Sequence, residues 1–174
     1  MATLTAITTT VPAKDTPCFA PTPATKQFTH LLGALTVYIE AERDLDHVDC
    51  WDPAFMEWHR DAEQARETVL THIAEICSTE AMRIEDLPLK RLALLTRGMI
   101  HSADAAEFMQ LHGLVAGYPD LFRCAADGAV SQRVNAMLQR ATALLDDLAT
   151  LAEYIDIAPE AVILGGEEFL SLAM

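Results

Sequence analysis

Residues 129–155, AVSQRVNAMLQRATALLDDLATLAEYI, carry the pattern that decides the fold. Val134, Met137, Ala141, Leu144, Leu148, Leu151 and Ile155 recur at alternating intervals of three and four. That spacing sets them in one stripe along a helix, as in bundles whose helices cross near +20°.

Proline punctuates the rest of the chain. It has no backbone donor and is tolerated mainly outside a helix or in its first turn. Pro12, Pro17, Pro21 and Pro23 fall within the first 25 residues, while Pro53, Pro88, Pro119 and Pro159 are spread along the remainder. Between these marks the apolar residues recur at helical spacing. A first helix is predicted over residues 25–46, with Phe28, Leu31, Leu32, Leu35, Tyr38, Ile39 and Leu45 on one face. The second is expected to start with Asp52 as N-cap and Pro53 at its first position, Trp51 and Met56 forming a hydrophobic staple. Its buried face reads Phe55, Trp58, Ala62, Ala65, Val69, Ile73 and Ile76.

A third helix is expected over residues 86–117, apolar around most of its circumference and so covered on several sides. Gly117 is its C-cap, and a short helical turn opens at Tyr118-Pro119. The fourth is the 129–155 helix. The resulting expectation is an all-α, up-and-down four-helix bundle over residues 26–158. A Pro/Thr-rich extended N-terminal arm over residues 1–25 precedes it, and an apolar C-terminal tail over residues 159–174 follows.

Composition agrees with one helical domain. The 174 residues are 51% hydrophobic and 22% charged, and aromatics make up only 6%. The net charge of −14 repels phosphate backbones and anionic headgroups, so neither nucleic acid nor membrane is an expected partner. Cys18, Cys50, Cys77 and Cys124 are far apart and form no Cys-x-x-Cys pair, which reads as reduced thiols in a cytoplasmic protein. The N-terminal residues lack the basic start and apolar core of a secretion signal.

The sharpest local anomaly is the acidic stretch 40–63, with nine acids against Arg43 and Arg60. Within it, His47, Asp49, Cys50, Glu57, His59 and Glu63 offer oxygen, imidazole and thiol ligands, a candidate site for a divalent metal ion. The plainer reading is a solvated turn, with Asp49 and Asp52 near a positive helix N-terminus. The stretch does not match an EF-hand loop. His59 and Glu63 are one turn apart, the His-x-x-x-Glu spacing found in hemerythrin-like diiron bundles. The fourth helix supplies no histidine, however, and no Glu-x-x-His pair occurs, so a bundle diiron centre is not supported.

On the third helix, Arg97 and His101 form a candidate anion or carboxylate pocket, set against a partly exposed polar stripe on a buried helix. No nucleophile elbow, phosphate loop, dinucleotide fingerprint or HExxH motif is present. The sequence therefore points to a non-enzymatic, homodimeric helical protein that works through protein–protein contacts and carries no cofactor. The alternative is a metal- or small-ligand-binding bundle, conceivably an enzyme, with its site near residues 47–63.

Overall fold

A computed structural model of the chain describes residues 20–45 and 51–151. Every regular element among them is helical, so the all-α expectation holds. In order they are α1 (Pro23–Leu45), α2 (Phe55–Ser78), α3 (Asp86–Ile100), α4 (Ala105–Gly117), a 3-10 helix (Pro119–Phe122) and α5 (Ala129–Leu148). Most of the arm, the apolar tail and residues 46–50 lie outside the described residues.

α1 begins inside the segment expected to be arm. The Thr22 hydroxyl accepts from Thr25 N at 3.1 Å and Thr22 O accepts from Lys26 N at 3.0 Å, so Thr22 caps the helix and Pro23 takes its first position. Phe28, Leu31, Leu32, Leu35, Tyr38 and Ile39 are buried, as their spacing predicts, and Leu45 is half-buried.

The start of α2 corrects the sequence reading. Asp52 Oδ1 accepts from Ala54 N at 2.8 Å and Asp52 O accepts from Phe55 N at 3.0 Å. Asp52 and Pro53 thus form a turn ahead of the helix, whose cap position falls on Ala54 with no side-chain bond. The staple does not form, since Trp51 is 88% and Met56 66% exposed. Burial on α2 begins at Ala62 and continues through Ala65, Val69, Ile73 and Ile76, while Phe55 is half-buried and Trp58 exposed.

The expected third helix is two helices. His101 N bonds Arg97 O and Gly98 O, and Ser102 closes on Met99 O through both its amide and its hydroxyl. Asp104, in extended conformation, accepts from Glu107 N at 2.7 Å, and Glu107 Oε2 accepts from Ala103 N at 2.7 Å. This reciprocal cap starts α4 in a new direction. α4 folds back on α3 with Leu111 Cδ1 only 3.3 Å from where a Cβ on Gly98 would stand. Phe108, fully buried, anchors it to the core.

The extra reversal changes the topology. α1 and α2 are antiparallel, with His30 and His72 rings 5.7 Å apart and the end of α1 beside the start of α2. α3 then runs parallel to α1, α4 returns, and α5 runs forward again. Its start lies beside the start of α1, and Arg43 near the end of α1 pairs with Asp147 at 3.4 Å. In an up-and-down bundle of four, the last helix would be antiparallel to the first. Here α5 is parallel to it, because among the described residues five α-helices stand where four were expected.

α3 is the axis of the packing and touches α1, α2, α4, α5 and the 3-10 helix. Leu89, Leu92, Ala93 and Met99 are fully buried on it, and each of the larger three contributes about 2 kcal/mol by leaving water. On α5 the buried positions are Ser131, Val134, Leu138, Ala141, Leu145 and Leu148. Met137 and Leu144, read from the sequence as stripe residues, pack at its margin. Leu151 is buried beyond the helix, and Ile155 lies outside the described residues.

Candidate functional site

The N-terminal end of α3 is fixed by a buried carboxylate. Asp86 Oδ1 accepts from the Thr22 hydroxyl at 2.7 Å, and Oδ2 accepts from Met82 N and Arg83 N at 3.0 and 3.1 Å. Three donors offset the cost of burying an acid, and they tie the entrances of α1 and α3 together. The bends at Met82–Glu85 are thereby held in place, with Met82 and Ile84 projecting into solvent.

Long cations close the helix ends around α3. The Arg66 guanidinium donates to Ile100 O at 2.8 Å, Lys90 donates to Thr79 O, and Arg91 donates to Leu121 O at 3.3 Å. Each meets a carbonyl at or near the C-terminal end of a helix, where the backbone leaves acceptors unsatisfied and the dipole favours positive charge.

A groove of about 350 Å³ opens between the start of α3 and the segment leading to α5. Ile84, Leu87, Pro88, Arg91, Arg123 and Cys124 are among its walls. Cys124 is held by Asn135, whose Oδ1 accepts from Cys124 N at 2.7 Å and whose Nδ2 donates to Cys124 O at 3.1 Å. Burial pushes the Cys124 thiol above its ordinary value, and the carboxylates of Glu85 and Asp86 push in the same direction. The thiol is therefore neutral at physiological pH and behaves as a small apolar group, not as a nucleophile. A second groove of about 540 Å³ runs between the 3-10 helix and α5, and Arg123 borders both.

Beside the first groove, α3 presents an unburied apolar line. Leu87 is 38% and Leu94 53% exposed, seven positions apart and so on one face. Arg91 lies between them, and its bond to Leu121 O brings the exposed Leu121 alongside. Both signs of charge lie beside this line, with Glu85, Arg91 and Arg123 on the walls of the groove. Elsewhere acids dominate, as the net charge of −14 requires.

The metal candidates of the acidic stretch divide into two groups. His47, Asp49 and Cys50 lie outside the described residues. Glu57, His59 and Glu63 are exposed on the first two turns of α2. His59 and Glu63 border a small cavity of about 140 Å³ together with Glu42 and Arg66. Among the described residues, no group of three or more His, Cys, Asp and Glu side chains could hold a metal ion.

The Arg97–His101 pair also acquires a structural role. His101 is the C-cap residue of α3, with Nδ1 3.0 Å from Arg97 O, so one ring nitrogen is engaged by the helix backbone. His101 ends α3, whereas His112 belongs to α4. His112 Nε2 lies 2.8 Å from Asp146 Oδ1 of α5, and its ring stacks on Phe108.

The sequence reading missed the Leu87–Leu94 face. The seven-residue spacing was legible, but which arc of an all-round apolar helix stays uncovered depends on where its neighbours pack. Comparison with known proteins finds no matching family model, no matching curated protein and no matching solved structure. No helix of the described residues is long and apolar enough to cross a membrane.

Proposed function

We propose that this chain is a non-enzymatic, cytoplasmic helical protein that acts through protein–protein contacts, its α3 face joining a second copy of the same chain. The carrying observation is the pair Leu87 and Leu94, on one face of the central helix and open to solvent. Exposed apolar side chains that share one helix face and are rimmed by polar groups suit a contact surface.

Charge favours a second copy as the occupant. Two chains of −14 each repel, and the contact must fall where that repulsion is least. Glu85 with Arg91 and Arg123 puts both signs of charge beside the face. A two-fold contact brings the same patch together from both sides, so it needs a patch that complements itself. Leucines at the centre with mixed charge at the rim meet that requirement.

Sedimentation of the wild type and of a Leu87→Glu, Leu94→Glu variant tests the reading. The wild type is expected to sediment as a dimer, and the variant as a monomer of unchanged helix content. A monomeric wild type at high micromolar concentration contradicts it.

A further inference from the structure

The groove between α1 and α5 is lined by basic residues although the chain as a whole is acidic. It is about 520 Å³ in volume, and Lys26, His30, Arg133 and Arg140 are among its lining residues. No carboxylate borders it among the described residues. Because α1 and α5 run parallel, the basic residues form two rows. Lys26 and His30 are one turn apart on α1, and Arg133 and Arg140 two turns apart on α5. Between the rows lies a floor that includes Leu32 and Met137.

We infer that this groove binds an acidic peptide segment of a partner protein, one that alternates carboxylate and apolar side chains. Lys26 and Arg140 supply cations for carboxylates, and the guanidinium group of Arg140 suits them geometrically. The floor supplies contact for the apolar side chains, Met137 with the adaptability of an unbranched thioether. Arg133 and Arg140 are about 10.5 Å apart along the helix axis, between the spacings of carboxylates two and four residues apart in an extended peptide, a difference that long arginine side chains can span.

A nucleic acid fits less well, because its phosphate backbone offers nothing to the apolar floor. The remaining charge of the chain also repels a long polyanion. An acidic peptide is short enough to feel the local groove more than the distant negative surface, which salt screens beyond about 8 Å at physiological strength.

The site is separate from the α3 face, so the two can be tested independently. The experiment is fluorescence anisotropy with full-length protein and a labelled peptide of repeating Glu-Leu. A matched Gln-Leu peptide and a labelled single-stranded oligonucleotide are run beside it. The Glu-Leu peptide is expected to bind saturably and to weaken as salt rises. Lys26→Glu with Arg140→Glu should reduce its affinity at least about tenfold, the size expected for losing two charge-assisted contacts. The milder Arg140→Gln should reduce it less, while Arg60→Glu on α2 should leave it unchanged. Absence of binding, equal binding of the Gln-Leu peptide, tighter binding of the oligonucleotide, or indifference to the Lys26 and Arg140 changes would each overturn the inference. Unchanged helix content in every variant keeps a loss of binding from being confused with unfolding.

Discussion

The hydroxyl of Thr22 donates to Asp86 Oδ1 across 2.7 Å, joining residues 64 positions apart in the chain. Thr22 caps α1 and Asp86 opens α3, so one bond sets the two parallel helices level at their starts. Asp86 also holds the amides of Met82 and Arg83, and its side chain is buried.

Replacing Asp86 by alanine should therefore be among the costlier single changes in the protein. It leaves the Thr22 hydroxyl and two amides without their acceptor. The expected loss is about 3 kcal/mol in urea unfolding, at the upper end for unsatisfied buried donors. Thr22→Val removes this donor together with the cap acceptor of α1 and should cost about 2 kcal/mol. A loss below about 1 kcal/mol for Asp86→Ala would show that the bends at residues 82–85 do not depend on this carboxylate.

The break between α3 and α4 makes a second prediction. Asp104 and Glu107 cap α4 reciprocally, and Asp104→Ala should cost about 1 kcal/mol. Hydrogen exchange should quicken at Glu107 and Phe108, whose amides bond the side chain and the carbonyl of Asp104, while Leu89–Ala93 keep their protection. If exchange instead slows across residues 101–104, the two helices have fused, and the cap is not what separates them.

A third prediction concerns pH. The Cys124 thiol is raised above its ordinary value of 9.0, chiefly by burial. In the unfolded chain it ionises first, so above that pH the folded state holds the proton the unfolded state has lost. Its contribution to stability is complete below pH 9.0 and is lost as pH rises toward the folded value. Wild-type stability should consequently fall more steeply above pH 9 than that of Cys124→Ala, as read from denaturant midpoints. At neutral pH, iodoacetamide should modify the folded protein more slowly at Cys124 than the same protein in urea. Parallel pH profiles for wild type and variant would show that the thiol does not titrate differently on folding.

What the sequence made legible was periodicity. The α1 stripe from Phe28 to Ile39 and the α2 face from Ala62 to Ile76 follow directly from apolar residues at i, i+3 and i+4. The break after Ile100 was hidden because Ala103, Ala105 and Ala106 continue a helical pattern through it. Two local signals did mark it: the Asp104-x-x-Glu107 capping pair, and Gly98, whose missing side chain admits Leu111. Missing that break also reversed the direction assigned to the final helix.

On α5, Leu138 and Leu145 are more buried than Met137 and Leu144. A strict three-four stripe describes a narrow seam between two helices, whereas α5 packs against α1, α3 and α4 over a wider arc. Asp52-Pro53 looked like a cap, but Asp52 directs its side chain to Ala54 N and makes a turn instead. The Thr22-Pro23 pair carries the cap signature expected there, within residues assigned to the arm. The metal-ligand reading rests on residues of which His47, Asp49 and Cys50 lie outside the described residues. Glu57, His59 and Glu63 face solvent.

The central claim is that α3 faces of two copies meet. Leu94→Cys in the full chain, oxidised gently and analysed by mass spectrometry of the linked peptides, tests it directly. The account predicts a covalent dimer joined through residue 94 on both sides, and none through a cysteine placed at the exposed Gln64 of α2. A chain that stays monomeric after oxidation, or that links equally well through either position, would contradict it.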